Sequence, residues 1–198
     1  FTITLNRGQS AFIKSATRNE NGNLSGTRVI ARDCKKIAVF NGNNTTQVPS
    51  GNYGDHIYEQ AFPTTSWGKK FVITNTLQNA STGRTKDCVR VTASTDNTTI
   101  RKNNTLLTTI NAGQTYEFQL TATEKAAYIE TSNPCAVYMY LVSQTAGGSS
   151  LGDPSMVWVA PLEQRINNIV FNTFYPNISA ANTPSTHIVN IVTEPATT

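Results

Sequence analysis

Hydrophobic and polar residues alternate along several short stretches of the chain. The alternation runs through residues 2–5, 89–92 and 115–120, and a period of two residues predicts β-strands with one buried face. Residues 37–40 and 156–160 are apolar throughout, which predicts central strands covered on both faces. Turns rich in Gly and Asn separate these stretches at intervals that are typical of antiparallel sandwiches. We therefore predict an all-β fold.

The second half of the chain resembles the first at a displacement of 98 residues. Ten identities occur between residues 38 and 95, where average composition gives about three or four. They include the pairs Gly54-Asp55 and Gly152-Asp153, Pro63 and Pro161, and Ala38-Val39 and Ala136-Val137. Before residue 38 the displacement becomes 105, because Gly8-Gln9 corresponds to Gly113-Gln114, and the extra residues fall in a polar loop at 19–23.

This repetition predicts two tandem antiparallel β-sandwich units related by internal duplication. The first unit spans residues 1–97 and the second spans residues 98–198, with the junction in the polar stretch 96–104. Features present in both copies are expected to serve the fold. Features present in one copy are the better candidates for binding.

Charge and hydropathy narrow the classes of partner. Only 14% of the residues are charged, and the net charge of +4 comes from scattered Lys and Arg with acidic residues between several of them. We expect no nucleic-acid partner, because no basic helix or RNA-binding motif occurs. We expect no membrane insertion by this segment, because no apolar stretch approaches the roughly 20 residues needed to span a bilayer. The chain begins at Phe1 without an initiator Met, so we expect a processed or excised piece.

The three cysteines have no metal-type spacing, and we expect no metal and no cofactor. Cys135 lies in an apolar run and replaces Ile37 of the first copy, so it is expected to act as a small buried hydrophobe. Cys34 and Cys88 both precede apolar strands. They could pair in an exported protein, but spacing alone does not decide this.

The sequence contains few groups suited to catalysis. Its two histidines, His56 and His187, are not equivalent in the repeat and belong to no nucleophile motif, so we assign no catalytic residue and expect no enzyme. A glycosidase would need two carboxylates in one cleft. The candidates are Asp55, Glu59, Asp153 and Glu163. Asp55 and Asp153 are instead expected to hold turns through side-chain hydrogen bonds.

Aromatic residues supply the binding candidates. Trp158 lies in an apolar run, which indicates a core or an inter-domain seam. Trp67 lies in a polar connection and corresponds to Arg165 in the second copy, so it is a candidate anchor for a ligand; the alternative is an indole folded over the end of the sandwich. The candidate ligand-binding set is Trp67, Tyr53, Tyr58 and Arg165.

Two long motifs carry a family resemblance. Residues 54–72 and 89–100 resemble the signature of the IgGFc-binding protein N-terminal domain family, and shorter matches follow in order at 35–40, 133–138, 152–156 and 161–164. The resemblance implies an extracellular family, named after a mucus glycoprotein associated with immunoglobulin G, with related modules in predicted bacterial surface proteins. The paired cysteines that many members carry before the Asp-His run are missing, and Asn43, Asn44 and Gly54 lie nearby instead.

The resemblance implies a non-catalytic binding or adhesion module of a larger secreted or cell-surface protein, located outside the cell. Its partners would be a host or surface glycoprotein, a mucin glycan or immunoglobulin, together with other domains of the parent protein. No residue motif for immunoglobulin binding transfers to this chain. A structural spacer that displays other modules is the alternative function, and a carboxylate-based glycosidase is the third.

Overall fold

The computed structural model describes residues 1–49, 53–76, 87–121, 123–143, 153–173 and 189–193. Within these residues every regular element is a β-strand or a short 3₁₀ helix, so the all-β prediction is confirmed. The strands are β1 (Phe40–Thr46), β2 (Asp55–Gln60), β3 (Gly68–Thr74), β4 (Cys88–Ala93), β5 (Thr98–Lys102), β6 (Thr105–Ile110), β7 (Thr115–Gln119), β8 (Ala126–Tyr140) and β9 (Met156–Trp158). The 3₁₀ helices are η1 (Glu20–Gly22), η2 (Thr64–Ser66) and η3 (Leu162–Gln164).

Strand β8 organises the larger sheet, because it is 15 residues long and changes neighbours along its length. Its first part, residues 126–131, lies between β3 and β5. Its second part, residues 135–140, lies between β4 and β9. β6 continues the sheet beyond β5, and β7 continues it beyond β4. All these pairs are antiparallel, and the seven strands form one curled sheet around β8.

The change of neighbours occurs at a bulge in β8. Lys70 of β3 pairs with Glu130 and Gly68 pairs with Cys135, so residues 131–134 have a single residue opposite them. Thr131 Oγ1 donates a hydrogen bond of 2.8 Å to the Asn133 carbonyl inside this bulge. A bulge of this kind bends a strand and increases its twist. The bend in β8 makes the sheet curl at this point.

One hydrophobic core lies inside the curled sheet. Its side chains come from both parts of β8 and from the strands on either side: Phe71, Ile73, Val89, Val91, Ala93, Ile100, Ile110, Leu120, Ala127, Ile129, Cys135 and Val137. Burial alternates along β4 from Val89 to Thr92 as its sequence predicts. Each large side chain buried here contributes about 1.5–3 kcal/mol relative to an exposed one.

The core takes residues from both sides of the predicted boundary at residue 97. β4 lies before this boundary and pairs with β7 and β8, which lie after it. The predicted junction is occupied by β5, in which Thr98 and Ile100 are fully buried. Separate sandwiches at 1–97 and 98–198 are therefore not confirmed, because strands of both units build one sheet.

Three predicted strands differ from the observed ones. Residues 2–5 form no strand, because no described strand pairs with them. Of the apolar run 37–40, only Phe40 enters a strand, and Ile37 is 52% exposed. The run 156–160 becomes the short strand β9, which pairs with β8 alone among the described strands. Neither apolar run is a central strand among the described elements.

The hairpin β1–β2 has the same register as the pairing of β8 with β9. Phe40 lies opposite Gln60, and Tyr138 lies opposite Trp158; the two pairs are 98 positions apart in sequence. The backbone hydrogen bond from Ala61 N–H to the Val39 carbonyl, 2.8 Å, returns between residues 159 and 137 at 2.9 Å. A 3₁₀ helix follows each second strand, directly after Pro63 in one case and Pro161 in the other. The sequence repetition thus corresponds to a repeated local structure.

Asp87 is a fully buried acid next to β4. Its side chain accepts hydrogen bonds from the Thr76 hydroxyl at 2.7 Å, the Thr76 N–H at 3.2 Å and the Val142 N–H at 3.3 Å. Its carbonyl accepts the Leu120 N–H at 3.0 Å. One residue thereby joins three chain segments that are distant in sequence.

We predict that Asp87→Ala lowers the free energy of unfolding by about 2–4 kcal/mol, because several buried donors lose their acceptor. Urea unfolding followed by tryptophan fluorescence measures the effect. Asp153→Ala, at an exposed position, is the control and should stay within about 0.5 kcal/mol of the parent. Equal stability of the two variants would show that the Asp87 bonds do not hold these segments.

Candidate binding site

The helices η2 and η3 meet at a seam. Gln164 Nε2 donates a hydrogen bond to the Ser66 carbonyl, and these two residues are 98 positions apart. They are equivalent in the repeat, so the contact joins the same position of the two sequence copies. Beside it, the Lys69 N–H donates to Glu163 Oε1 at 2.9 Å. The seam therefore fixes η3 against the start of β3.

Gly68 allows this close approach. A Cβ atom at Gly68 would overlap the Pro161 ring and lie 2.7 Å from Glu163 Oε2. The glycine is needed here for space, since a proline ring and a carboxylate fill the position of a side chain.

We predict that Gly68→Ala destabilises the protein by about 1–3 kcal/mol, because the new methyl group displaces η3 from β3. Thermal unfolding measures the loss. Lys69→Ala, at the next and exposed position, is a matched control, because its bond to Glu163 uses the backbone N–H. If Gly68→Ala unfolds at the same temperature as this control, η3 does not pack closely against Gly68.

An open cleft of about 410 Å³ lies next to the seam. Its lining consists of Lys70 from β3, Tyr128 from β8, Leu162 and Glu163 from η3, and Arg165. Arg165 ends η3, where its N–H donates to the Leu162 carbonyl at 3.2 Å. The cleft thus places two cations near one carboxylate, Glu163, that already accepts a backbone N–H. Such a site suits an anionic group, which a guanidinium can bind through two parallel hydrogen bonds.

Trp67 holds the position in η2 that Arg165 holds in η3. The Trp67 indole is half-buried, and its N–H donates to the Phe62 carbonyl at 3.2 Å. The structure therefore places Trp67 back over its own loop, and it is not among the residues that line the cleft. Of the two alternatives left open by the sequence, this geometry favours the folded-over indole.

The two tyrosines of the candidate set lie on or beside the β1–β2 hairpin. Tyr53 is 56% exposed and Tyr58 is 68% exposed. The Tyr58 ring stacks on Phe40 with ring centroids 5.5 Å apart and planes 4° apart. The structure thus forms an exposed aromatic pair from Phe40 and Tyr58, whereas Arg165 belongs to the cleft.

Trp158 is the last residue of β9 and packs against aromatic side chains of both sequence copies. Its ring stacks on Phe62 at 4.7 Å and meets Tyr138 edge-on at 5.3 Å. This agrees with the expectation of a core or seam position. Sequence reasoning missed Phe62, although its place directly before the repeated Pro63 was a usable signal.

Glu59 is a partly buried acid on β2, next to Trp158. Burial raises its pKa, while a hydrogen bond from the backbone N–H of Trp158 opposes this shift. Its Oε2 atom is buried and has no hydrogen-bond partner. Burial likewise raises the pKa of the neighbouring Tyr138 to about 12, and the Glu59 charge adds to that shift. The ionised form of Glu59 therefore costs stability in the folded protein.

We predict that Glu59→Gln stabilises the protein at neutral pH and has little effect in acid. A raised folded-state pKa means that the protonated acid stabilises the fold below the unfolded pKa, about 4.3, and that this contribution is lost as pH rises. The melting temperature of the variant should exceed that of the parent by about 1–3 °C at pH 7. A difference that is equal at pH 4 and pH 7 would contradict this assignment.

Two of the candidate glycosidase carboxylates, Asp55 and Glu59, lie far apart on one strand. Asp55 and Glu59 are four residues apart on β2, which separates them by roughly 13 Å, beyond the separation that glycosidases use. Asp55 Oδ1 accepts the His56 N–H at 2.7 Å and lies 2.7 Å from His56 Nδ1, contacts that lower its pKa. Asp153 is exposed, while Gly152 and His187 lie outside the described residues. In the described part of the chain, no three His, Cys, Asp or Glu side chains are grouped to hold a metal ion.

The cysteines divide between core and surface. Cys135 is buried in the core as expected, and burial raises the pKa of its thiol to about 11. Cys34 is exposed, whereas Cys88 is buried in β4. The suggested disulfide between Cys34 and Cys88 is not formed, since one thiol faces solvent and the other faces the protein interior.

The curled antiparallel sheet defines the class of this chain, which is an all-β domain. The chain belongs to the IgGFc binding protein family, whose model matches residues 1–198. This family is typically extracellular, and its members are binding domains not known as enzymes. No curated protein and no solved structure matches the chain. Among the residues described, no helix has the length and apolar character needed to cross a membrane.

Proposed function

We propose that this chain is a non-catalytic extracellular binding module of a larger secreted or cell-surface protein. The observation that carries the proposal is the family match over the whole chain. Other domains of the parent protein are its neighbours in this arrangement.

The ligand we propose is a glycoprotein, recognised through an acidic group on its surface or its glycans. The cleft supports this, because Arg165 and Lys70 can bind a carboxylate while the Tyr128 ring packs against a sugar face. Arg165 also has no counterpart in the first copy, where Trp67 stands. Immunoglobulin G is a specific candidate, since the family is named for binding its Fc part.

The exposed aromatic pair Phe40 and Tyr58 favours binding over a purely structural spacer. Stacked aromatic rings on a surface are typical anchors of protein interfaces. Tyr53 lies near them in sequence and is also exposed. We propose these residues as a second contact surface of the same module.

We predict that Arg165→Ala weakens binding to an acidic glycan or to immunoglobulin G at least about tenfold, a loss of about 1.4 kcal/mol. Lys70→Ala should weaken it less, because a lysine acts as a point charge without the paired geometry of arginine. A glycan array with sialylated and neutral chains, followed by surface plasmon resonance on the best ligand, measures both effects.

Arg7→Ala is the matched control, because Arg7 is exposed and does not line the cleft. Trp67→Ala tests the other candidate: unchanged binding would remove Trp67 from the site. Binding that is lost in Tyr58→Ala and kept in Arg165→Ala would move the site to the hairpin. Absence of binding to every acidic and neutral glycan and to immunoglobulin G would refute the proposed ligand class.

A further inference from the structure

Large hydrophobic side chains are exposed along both ends of the chain. Phe1, Ile3, Leu5, Phe12, Ile13, Val29, Ile30, Ile37, Ile166, Ile169, Val170, Phe171, Val189, Ile191 and Val192 are each at least 43% exposed. None of them lies in a strand. Exposed apolar surface of this extent marks an interaction site.

The N-terminal end repeats the local structure of the curled sheet. The turn at residues 6–9 closes with a bond from Gln9 N–H to the Asn6 carbonyl at 3.1 Å, and Asn6 N–H donates to the Gln9 side chain at 2.8 Å. The turn between β6 and β7 has the same two bonds, 2.9 and 2.7 Å, between Gln114 and Asn111. Gly8 and Gly113 share a positive φ, 81° and 77°. Residues 1–5 and 10–14 therefore correspond to β6 and β7.

Other strands also have counterparts. After the extra residues of the loop at 19–23 the displacement is 98, so residues 28–42 correspond to β8 and residues 58–60 to β9. The C-terminal residues 166–172 correspond to β3, and residues 189–191 correspond to the end of β4. The two ends of the chain together contain counterparts of most strands of the curled sheet.

The core positions are apolar in these counterparts. Of the twelve core residues, nine correspond to apolar residues at the two ends: Leu5, Val29, Ala31, Ile37, Val39, Ile169, Phe171, Val189 and Ile191. The exceptions are Val89, Ile100 and Leu120, which correspond to His187, Thr198 and Ser15. An apolar set with this alternation is what a second sheet with one buried face needs.

We propose that residues 166–172 and 189–191 bind the N-terminal segment of the same chain as strands of a second curled sheet. The observed pairs of β3 with β8 set the register, so that Val170 lies opposite Ile30, as Val72 lies opposite Tyr128. In the same way Val189 lies opposite Val39, as Val91 lies opposite Val137. The interaction surface is the apolar face of residues 28–39.

The seam between η2 and η3 favours an occupant from the same chain. β3 follows η2 and pairs with β8, which belongs to the other sequence copy. Residue 166 follows η3 at the equivalent point of the chain. The contact of Gln164 with Ser66 places the two exits side by side. The same path from η3 leads onto the N-terminal segment. One structural unit is then built from the described residues within 68–165, and the other from the described residues within 1–67 together with residues 166–172 and 189–191.

A designed disulfide tests the register. Cys34→Ser removes the exposed native thiol, and Ile30→Cys with Val170→Cys then places two thiols opposite each other at positions equivalent to the half-buried Tyr128 and Val72. We expect this pair to oxidise within one chain, detected as loss of thiol labelling and faster migration on a non-reducing gel. Val29→Cys with Val170→Cys is the matched control, because a shift of one residue points the thiols to opposite faces.

Each outcome decides the proposal. Bonding within one chain in the first pair alone supports it. Bonding only between chains would assign the interaction to a second copy and overturn the same-chain assignment. Bonding in neither pair, or equally in both, would overturn the register.

Hydrogen exchange of the unmodified protein provides an independent measurement. The amides of residues 29–31 and 169–171 should exchange at least about 100-fold more slowly than an unstructured chain, as paired strands do. Phe171→Asp should abolish this protection, because its side chain faces the second core, whereas Val170→Asp, on the outer face, should keep it. Exchange at the unstructured rate in the unmodified protein would overturn the proposal.

Discussion

The sharing of β8 between two sets of neighbours is the constraint on which the described fold depends. Its first part satisfies the backbone of β3 and β5, and its second part satisfies that of β4 and β9. Because buried backbone groups must be paired, the bulge at residues 131–134 cannot move without breaking pairs on both sides. The position of that bulge sets where the sheet curls, and so where the core closes. The cleft lies just before the bulge, since Tyr128 precedes it and Lys70 pairs with Glu130, the last residue before it.

The seam between η2 and η3 connects this sheet to the candidate binding site. The η3 helix is held by a backbone donor from β3 and by the contact of Gln164 with Ser66, and Arg165 at its end lines the same cleft as Lys70. The duplicated copy places an indole at the same point and turns it inward. One local structure thus supports a packing role in one copy and a solvent-facing cation in the other.

Local patterns predicted the local features of this chain, and non-local pairing decided the rest. The alternation from Val89 to Thr92 and the burial of Cys135 follow from side-chain chemistry within one strand. The partners of β8 could not be read in this way, because its pairs join residues 16 to 67 positions apart. Arg165 entered the candidate set because it stands where the first copy has Trp67. Lys70 and Tyr128 were missed, since only the sheet brings them to the same cleft.

The strands that follow η2 pair with strands from the second half of the sequence, and this limits how the protein can be divided into fragments. β3 and β4 precede residue 97, yet their hydrogen-bonded neighbours all follow it. A cut at the sequence midpoint therefore leaves β3 and β4 as unpaired edges, which are prone to aggregate. A fragment that keeps these strand pairs has to contain β3 and β4 together with β7 and β8, although the sequence reads as two equal parts.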